Sequence, residues 1–325
     1  MQLSVFTVAD SIPPTTSAPR DRYDEVLQLA SAAEGAGLTT FWLAEHHFHD
    51  GGLCPNPAVL LAAVASRTQR LRMGVLVSVL PLHNPIEIAE QYAMVDRLSG
   101  GRLNVGVGSG YIPLELAGFG VNPAEKRERF DRAYDTVLSA WRGEPVAWGG
   151  SEVKINVRPV QTPHPPIWLA VQRREAIPYV GRRAVALALV PYATVSGTEE
   201  LREEIEEYRA ALPPGSKGHV SVALHLYAGS HPDRARAALQ RYLDARVAHQ
   251  STFLVQKAHA DPSSVTVESI ERQGFALFGD AEQVADRVRG FAQIGVDEVL
   301  GIFDFGGLPL EDVLGSVRAL GPRMR

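Results

Sequence analysis

LRMGVLVSVLPLHNPIEIAEQYAMVDRLSGGRLNVGVGSGY, residues 71–111, contains two short apolar runs with one stretch of helical period between them. LRMGVLVS (71–78) and RLNVGVG (102–108) are rich in Val and Leu, as strands buried on both faces are. NPIEIAEQYAMVDRLS offers Asn84 as a cap and Pro85 at the first helical position, with Ile86, Ala89, Ala93 and Leu98 able to face inward. Gly100-Gly101 ends it. A strand, a helix and another strand in this order form a crossover unit, the connection that parallel strands require.

The same rhythm continues in both directions. QLSVFTV (2–8) and TTFWLAE (39–45) precede the unit; PIWLAV (166–171), AVALALV (184–190), HVSVALHLY (219–227) and DEVLGIFDF (297–305) follow it. Eight strands alternating with helices predict an α/β fold, a (β/α)8 TIM barrel with insertions. DRYDEVLQLASAAEGAG is a helix that stops at Gly37, a residue suited to the left-handed position. NPAEKRERF is expected to start another, with Asn122 as cap, Pro123 at the first position and Glu125 reaching back to the cap. Two stretches fall outside the alternation. Residues 144–161 read as a hairpin around a Gly-Gly turn, and residues 245–278 as an insertion above the seventh strand, of the kind that acts as a lid. With no linker or low-complexity tract, residues 1–325 are read as one domain.

Composition narrows the function. Charged residues make up 21% of the 325 and the formal net charge is −5, with Lys and Arg scattered, so no basic stripe offers itself to nucleic acid or anionic lipid. Cys54, the one cysteine, leaves no internal disulfide or thiolate-rich zinc site and reads as a small core residue in a reducing compartment. MQLSVFTVAD has no basic start and too short an apolar run for a signal peptide, and AVLLAAVA (58–65) is too short to span a bilayer. The expected location is the cytoplasm, and the expected partner a small molecule.

FWLAEHHFHD (41–50) brings Glu45, His46, His47, His49 and Asp50 to the C-terminal end of the second strand, where a parallel barrel gathers its reactive side chains. Ser78, His83 and Asn84 follow the third strand at the same rim. In GVGSGY after the fourth, Gly106, Gly108 and Gly110 lack side chains at alternate positions, so a flat ligand is expected to approach the backbone. The pattern is not the dinucleotide fingerprint, because the third Gly comes too soon. After the fifth strand, Gln172, Arg173 and Arg174 open a helix with basic groups and free amides that suit a phosphate.

FWLAEHHF, the long run from PNPAVLLAAV to GVGSGY, GFGVNPAEKRERFD, PVQTPHPPIWLA and FGDAEQVADRVRGF together resemble, in order, the bacterial luciferase-like, flavin-dependent monooxygenases. The resemblance implies reduced FMN at the strand C-termini, reacting with O2 through a flavin peroxide to oxygenate a small organic substrate, aldehyde-like or a secondary metabolite. It implies His46 as the catalytic histidine, a base or stabiliser, with Glu45 bonding the flavin or fixing a neighbouring histidine. A sometimes cis peptide against the flavin ring is expected at Leu76-Val77. Relatives commonly carry Arg where Ser109 stands, beside Gly110, and small hydroxyl residues where Gln172 and Arg173 stand. Either the phosphate-binding charge has moved to Arg173 or Arg174, or flavin affinity is reduced, as Glu175 suggests. With no nicotinamide site recognisable, the reduced FMN is expected from a separate flavin reductase, and a homodimer through the early barrel helices. Alternatives are a deazaflavin-dependent oxidoreductase of the same superfamily, a non-catalytic flavin-binding partner subunit, and a metal hydrolase using His46, His49 and Asp50. His47 is a weaker catalytic candidate than His46, since strand alternation turns it away from the flavin; His83 and His164 read as structural, and His225 as the best exception among the remaining histidines.

Overall fold

The computed structural model describes residues 1–12, 19–248 and 265–324. The chain runs β1 (Gln2–Thr7), α1 (Pro19–Ala36), β2 (Thr40–Leu43), α2 (Pro57–Arg67), β3 (Arg72–Val79), α3 (Pro85–Leu98) and β4 (Leu103–Gly108). After α4 (Pro113–Gly118) and α5 (Lys126–Arg142), β5 (Val146–Trp148) and β6 (Ser151–Val153) pair antiparallel about Gly149-Gly150, the expected hairpin. Then come β7 (Ile167–Ala170), α6 (Ile177–Arg182), β8 (Ala186–Leu189), α7 (Thr198–Ala210), β9 (Val220–Ala228) and α8 (Pro232–Ala248). The chain closes with α9 (Val267–Gln273), β10 (Ala276–Gly279), α10 (Ala281–Gly290), β11 (Glu298–Ile302) and α11 (Leu310–Leu320).

Parallel pairing runs β1-β2-β3-β4-β7-β8-β9-β11 and returns to β1, so eight strands close into a TIM barrel. Val5 faces Phe41 on one side and Gly301 on the other, while Ala188 and Ser221 bring β8 to β9. Closure leaves these strands no free edge, and their residues are buried almost throughout. The β10 strand is additional: it pairs with Leu226 to Ala228 and their neighbour His225, beyond the part of β9 that meets β8. At the rim where β11 returns to β1, Arg22 donates to the Asp10 carbonyl and pairs with Asp304, which also accepts from Thr7.

Four expectations need correction. Within the anticipated 245–278 insertion, α9 and all of β10 but its last residue are regular helix and strand, and α8 continues to Ala248; residues 249–264 lie outside the described residues. Residues 122–125 form a turn, in which Asn122 accepts from the Ala124 and Glu125 amides, and the helix starts only at Lys126. Leu98 is 63% exposed: it lies two and a half turns past Ala89, at about 3.6 residues per turn, and so points away from the core. The second strand ends at Leu43, which frees Glu45 from the ladder.

The N-terminal half of the barrel is filled from within. Trp42 and Trp168 meet edge to face at 4.9 Å, and Gly74 makes room for the Trp42 indole, which a Cβ there would strike at 2.5 Å. Glu298, buried at the start of β11, accepts hydrogen bonds from Ser4, from Trp42 Nε1 (3.3 Å) and from Ser221 (2.8 Å), and pairs with His219 Nε2 at 3.1 Å. One carboxylate thus binds β1, β2 and β9 together. Glu298→Ala leaves these donors buried without an acceptor and is expected to destabilise the fold by roughly 3 kcal/mol or more. Glu298→Gln, which keeps an acceptor, should cost less. Urea denaturation of both variants checks this; equal, negligible losses would contradict the role.

Candidate active site

Beyond β2 the chain turns back on itself, with the His46 amide donating to the Cys54 carbonyl. That turn presents Glu45 and three histidines to two other rim segments. Glu45, only 3% exposed, meets His83 Nε2 at 2.7 Å and His47 Nε2 at 3.2 Å through Oε1, while Oε2 accepts from Ser78 Oγ and the Val79 amide. Burial pushes its carboxyl up; the bonds from His47 and His83 outweigh this and hold it below the usual carboxylate range. It thus makes one of the two contacts expected of it, that with neighbouring histidines.

The partner of His46 is a residue that sequence reasoning missed. Glu115, in α4 just past β4, is buried, and its Oε1 accepts from His46 Nδ1 (3.0 Å), the His47 amide (2.9 Å) and His49 Nε2 (3.3 Å). An ionised carboxylate only accepts, so His46 Nδ1 carries a proton, and in the neutral form of the ring Nε2 holds the lone pair. The Gly51 amide donates to His49 Nδ1, which puts that ring's proton on Nε2, facing Glu115. Gly52 lies against the edge of the His46 ring, so near that a Cβ would come 2.8 Å from Cδ2. The signal for Glu115 in the sequence was a single acid in the apolar run IPLELAGF, directly after GVGSGY.

The β3 segment matches the expectation of a special peptide: Leu76-Val77 is cis, at the interruption in β3–β4 register between Val75 and Ser78. The glycines opposite it do something other than expected. A Cβ on Gly106 would meet Leu76 at 2.5 Å, on Gly108 Val77 at 2.8 Å, and on Gly110 Val79 at 2.8 Å. The missing side chains therefore admit β3, not a flat ligand.

Of the basic residues, Arg174 turns away: it is bonded to Glu203 and Glu207 on α7. Gln172 and Arg173 are exposed, beyond β7. Lys126, at the start of α5, donates to the Gly110 carbonyl at 2.8 Å, beside Ser109. Burial lowers the Lys126 ammonium pKa, and the nearby Arg173 charge lowers it further. Two cations from separate rim segments thus share one field.

Cys54 is buried, and burial followed by the Glu45 charge pushes its thiol up to about 12, so it is an inert core residue. His164 bonds the Pro165 carbonyl. Glu45, His47 and His83, and likewise His46, His49 and Glu115, hold their ligating atoms within 4.8 Å of one another, a donor set that suits a divalent cation. The nitrogen to oxygen separations of 2.7 to 3.3 Å are nevertheless those of hydrogen bonds. Asp50 belongs to neither group; Glu115 stands where it was expected. Among the described residues, no helix is long and apolar enough to cross a membrane.

Residues 1–298 match the model of the luciferase-like monooxygenases. The chain belongs to that family. An uncharacterized protein of Sinorhizobium fredii, y4wF, is 35% identical over 58% of this chain, which spans 57% of that relative's length. The oxygenase component of a flavin-dependent trigonelline monooxygenase from Acinetobacter baylyi is 23% identical, over 92% of this chain and 88% of its own. Two solved structures share the fold at 17% identity. One is the oxygenating constituent of 3,6-diketocamphane monooxygenase from Pseudomonas putida in complex with FMN (TM-score 0.79, covering 100% and 98% of the two chains). The other is an F420-dependent secondary alcohol dehydrogenase with an F420-acetone adduct (TM-score 0.77, covering 100% and 99%).

The Glu115 clamp has a pH signature. Burial alone would raise its carboxyl, but the bonds from His46 and His49, the His46 charge and the His47 amide bring it from 4.5 to about 2. Because the folded value is depressed, ionised Glu115 stabilises the fold above about 4.5, and the contribution is lost as pH falls towards 2. Glu115→Gln is expected to cost on the order of 3 kcal/mol at pH 7. In urea titrations the gap to the unsubstituted protein should narrow from pH 4.5 downwards; a gap constant over that range would contradict the clamp.

Proposed function

We propose that this chain is a monooxygenase that uses reduced FMN and O2 to oxygenate a small organic substrate at the C-terminal mouth of the barrel. The carrying observation is the Glu115 to His46 bond, which leaves His46 Nε2 as a proton acceptor at the rim of a luciferase-like barrel. The donor set fits the cofactor: Lys126 and Arg173 supply cationic groups for its phosphate, and Leu76 and Val77 apolar surface for its ring. Bound reduced FMN supplies the electrons with which O2 is activated. His46 takes up or returns a proton at Nε2, Glu115 holds the other proton at Nδ1, and Glu45 keeps His47 and His83 in register with β3. Phe48 and Phe119, with ring centroids 5.3 Å apart, cover this side of the rim with apolar surface that limits the access of water.

Moving the phosphate charge to Lys126 and Arg173 answers the departure at Ser109, and favours compensation over loss of flavin affinity. The relative named as an oxygenase component supports a separate flavin reductase as the source of reduced FMN. Val59 on α2 and Met94 and Leu98 on α3 are 54 to 69% exposed, an apolar face suited to a homodimer through the early helices. Light scattering should give twice the chain mass, and Leu98→Asp with Met94→Asp the single mass; an unsubstituted monomer would overturn the dimer.

Cofactor identity is tested by titrating the protein anaerobically with reduced FMN and with a reduced 5-deazaflavin, each followed optically. FMN is expected to bind at least tenfold more tightly, and Lys126→Ala to weaken it about tenfold, as loss of a charge-assisted contact should. The F420-dependent neighbour makes preference for the deazaflavin the result that overturns this reading. His46→Ala should keep FMN binding and slow turnover at least about tenfold, as loss of a positioned acid-base group does. Unchanged turnover removes His46 from the mechanism.

A further inference from the structure

Ala9, two residues past β1, has a φ of 50°, a conformation that residues with a side chain rarely adopt. Its amide donates to Thr7 Oγ1 (2.9 Å), which donates in turn to Asp304 Oδ2 (3.0 Å), and its carbonyl accepts from the Leu53 amide (3.0 Å). Two residues on, the Ser11 amide donates to the Asp50 carbonyl at 2.8 Å. A Cβ on Gly52 would come 2.8 Å from His46 and 2.9 Å from the Val8 carbonyl, so the turn that carries His46 lies directly on this segment. What fixes residues 8–11 therefore fixes His46.

Asp10 sits at the centre of that support, 2% exposed. Its Oδ2 accepts from the Gly306 amide at 3.0 Å, which joins the end of β1 to the segment after β11. Oδ1 has only the Ile12 amide, at 3.5 Å. Charged groups approach from three sides: Asp304 after β11, Arg22 and Glu25 on α1, and Arg241 on α8, which donates to the Gly306 carbonyl. Arg22 does not bond the Asp10 carboxyl. Its N–H groups go to the Asp10 carbonyl, to Asp304 and to Glu25. Two buried carboxyls thus share one buried guanidinium, and a second buried negative charge is costly without a partner of its own. Asp304 holds the guanidinium and the Thr7 hydroxyl; Asp10 bonds no cation and is the member that keeps a proton. Burial, then the Asp304 charge, pushes the Asp10 carboxyl up to about 7, against the opposing pull of Arg22 and the two amides.

Loss of that proton can act in few directions. Gly306 is closed in on α8, where a Cβ would meet the Ala238 carbonyl at 1.9 Å, so the segment after β11 has no room to move that way. Repulsion between Asp10 and Asp304 then falls on residues 8–11 and, through Leu53 and Gly52, on the His46 turn. We propose that Asp10 is a positioning residue for His46: its proton locks the end of β1 to the segment after β11, and its ionisation loosens the turn that carries His46. The role of His46 in turnover rests on the active-site reading above; the link from Asp10 to the turn does not.

Urea denaturation and hydrogen exchange of the flavin-free chain test this, compared with Asp10→Asn, which keeps an acceptor for Gly306 and cannot ionise. Because the folded value is raised, the protonated acid stabilises the fold fully below about 4, and the contribution is lost as pH rises towards 7. The unfolding constant of the unsubstituted protein should therefore grow at least about tenfold relative to that of Asp10→Asn between about pH 4.5 and about pH 7.5. Glu204 on α7, whose carboxyl burial also pushes up to about 7, is common to both proteins and cancels. From about pH 6 to about pH 8.5, after correction for intrinsic exchange, protection of the Ser11, Leu53 and His46 amides should fall in the unsubstituted protein and persist in Asp10→Asn. A constant ratio of unfolding constants, unchanged protection in the unsubstituted protein, or the same loss in both overturns the proposal. Infrared difference spectra of Glu204→Gln need no change at Asp10: the band of a protonated carboxyl should disappear over the same range, and its absence at the acid end is equally fatal. None of these readouts involves FMN, so failure of the flavin reading would leave them as they are.

Discussion

One oxygen atom organises the rim of this barrel. Glu115 Oε1 accepts from two imidazoles and a backbone amide, all from the short turn after β2, although Glu115 itself follows β4. No element local in sequence could bring those groups together; only the closed ring of parallel strands sets the two connections side by side. A buried carboxylate is costly unless its lone pairs are filled, and here the donors that fill them are the groups whose orientation matters chemically. The same bond that stabilises the charge decides where His46 carries its proton.

A division of the barrel follows. Its N-terminal half is closed by Glu298, Trp42 and Trp168, a packed plug with its polar atoms matched. At the C-terminal mouth two carboxylates divide four histidines: Glu45 takes His47 and His83, Glu115 takes His46 and His49. Glu45 ties the second strand end to the third through Ser78 and Val79, and Glu115 ties it to the fourth. The rim is thus a chain of linked connections, with the cis Leu76-Val77 peptide on the strand between them.

Much of the fold was legible because it rests on local pattern: eight apolar runs, helices with Pro and Asn at their starts, and a Gly-Gly hairpin. Errors arose where tertiary context outweighs pattern. Leu98 is apolar yet lies on the wrong face of α3, and Asn122-Pro123 looks like a helix start but forms the turn before one. Within the site, the AEHHF turn and its position were readable, since clustered imidazole and carboxylate at a strand end is uncommon for packing alone. Glu115 and Lys126 were not, because a lone acid or base beyond a strand acquires meaning only from what the barrel sets beside it. Gly106, Gly108 and Gly110 were read correctly as places needing no side chain, but the space belongs to Leu76, Val77 and Val79.

A crystal structure of the protein with FMN bound tests the central claim most directly. The account predicts the phosphate between Lys126 and Arg173, the ring system against Leu76-Val77, and His46 Nε2 turned towards it with Nδ1 still on Glu115. A phosphate bound elsewhere, or a His46 ring that faces away from the flavin while Glu115 still holds it, would contradict it.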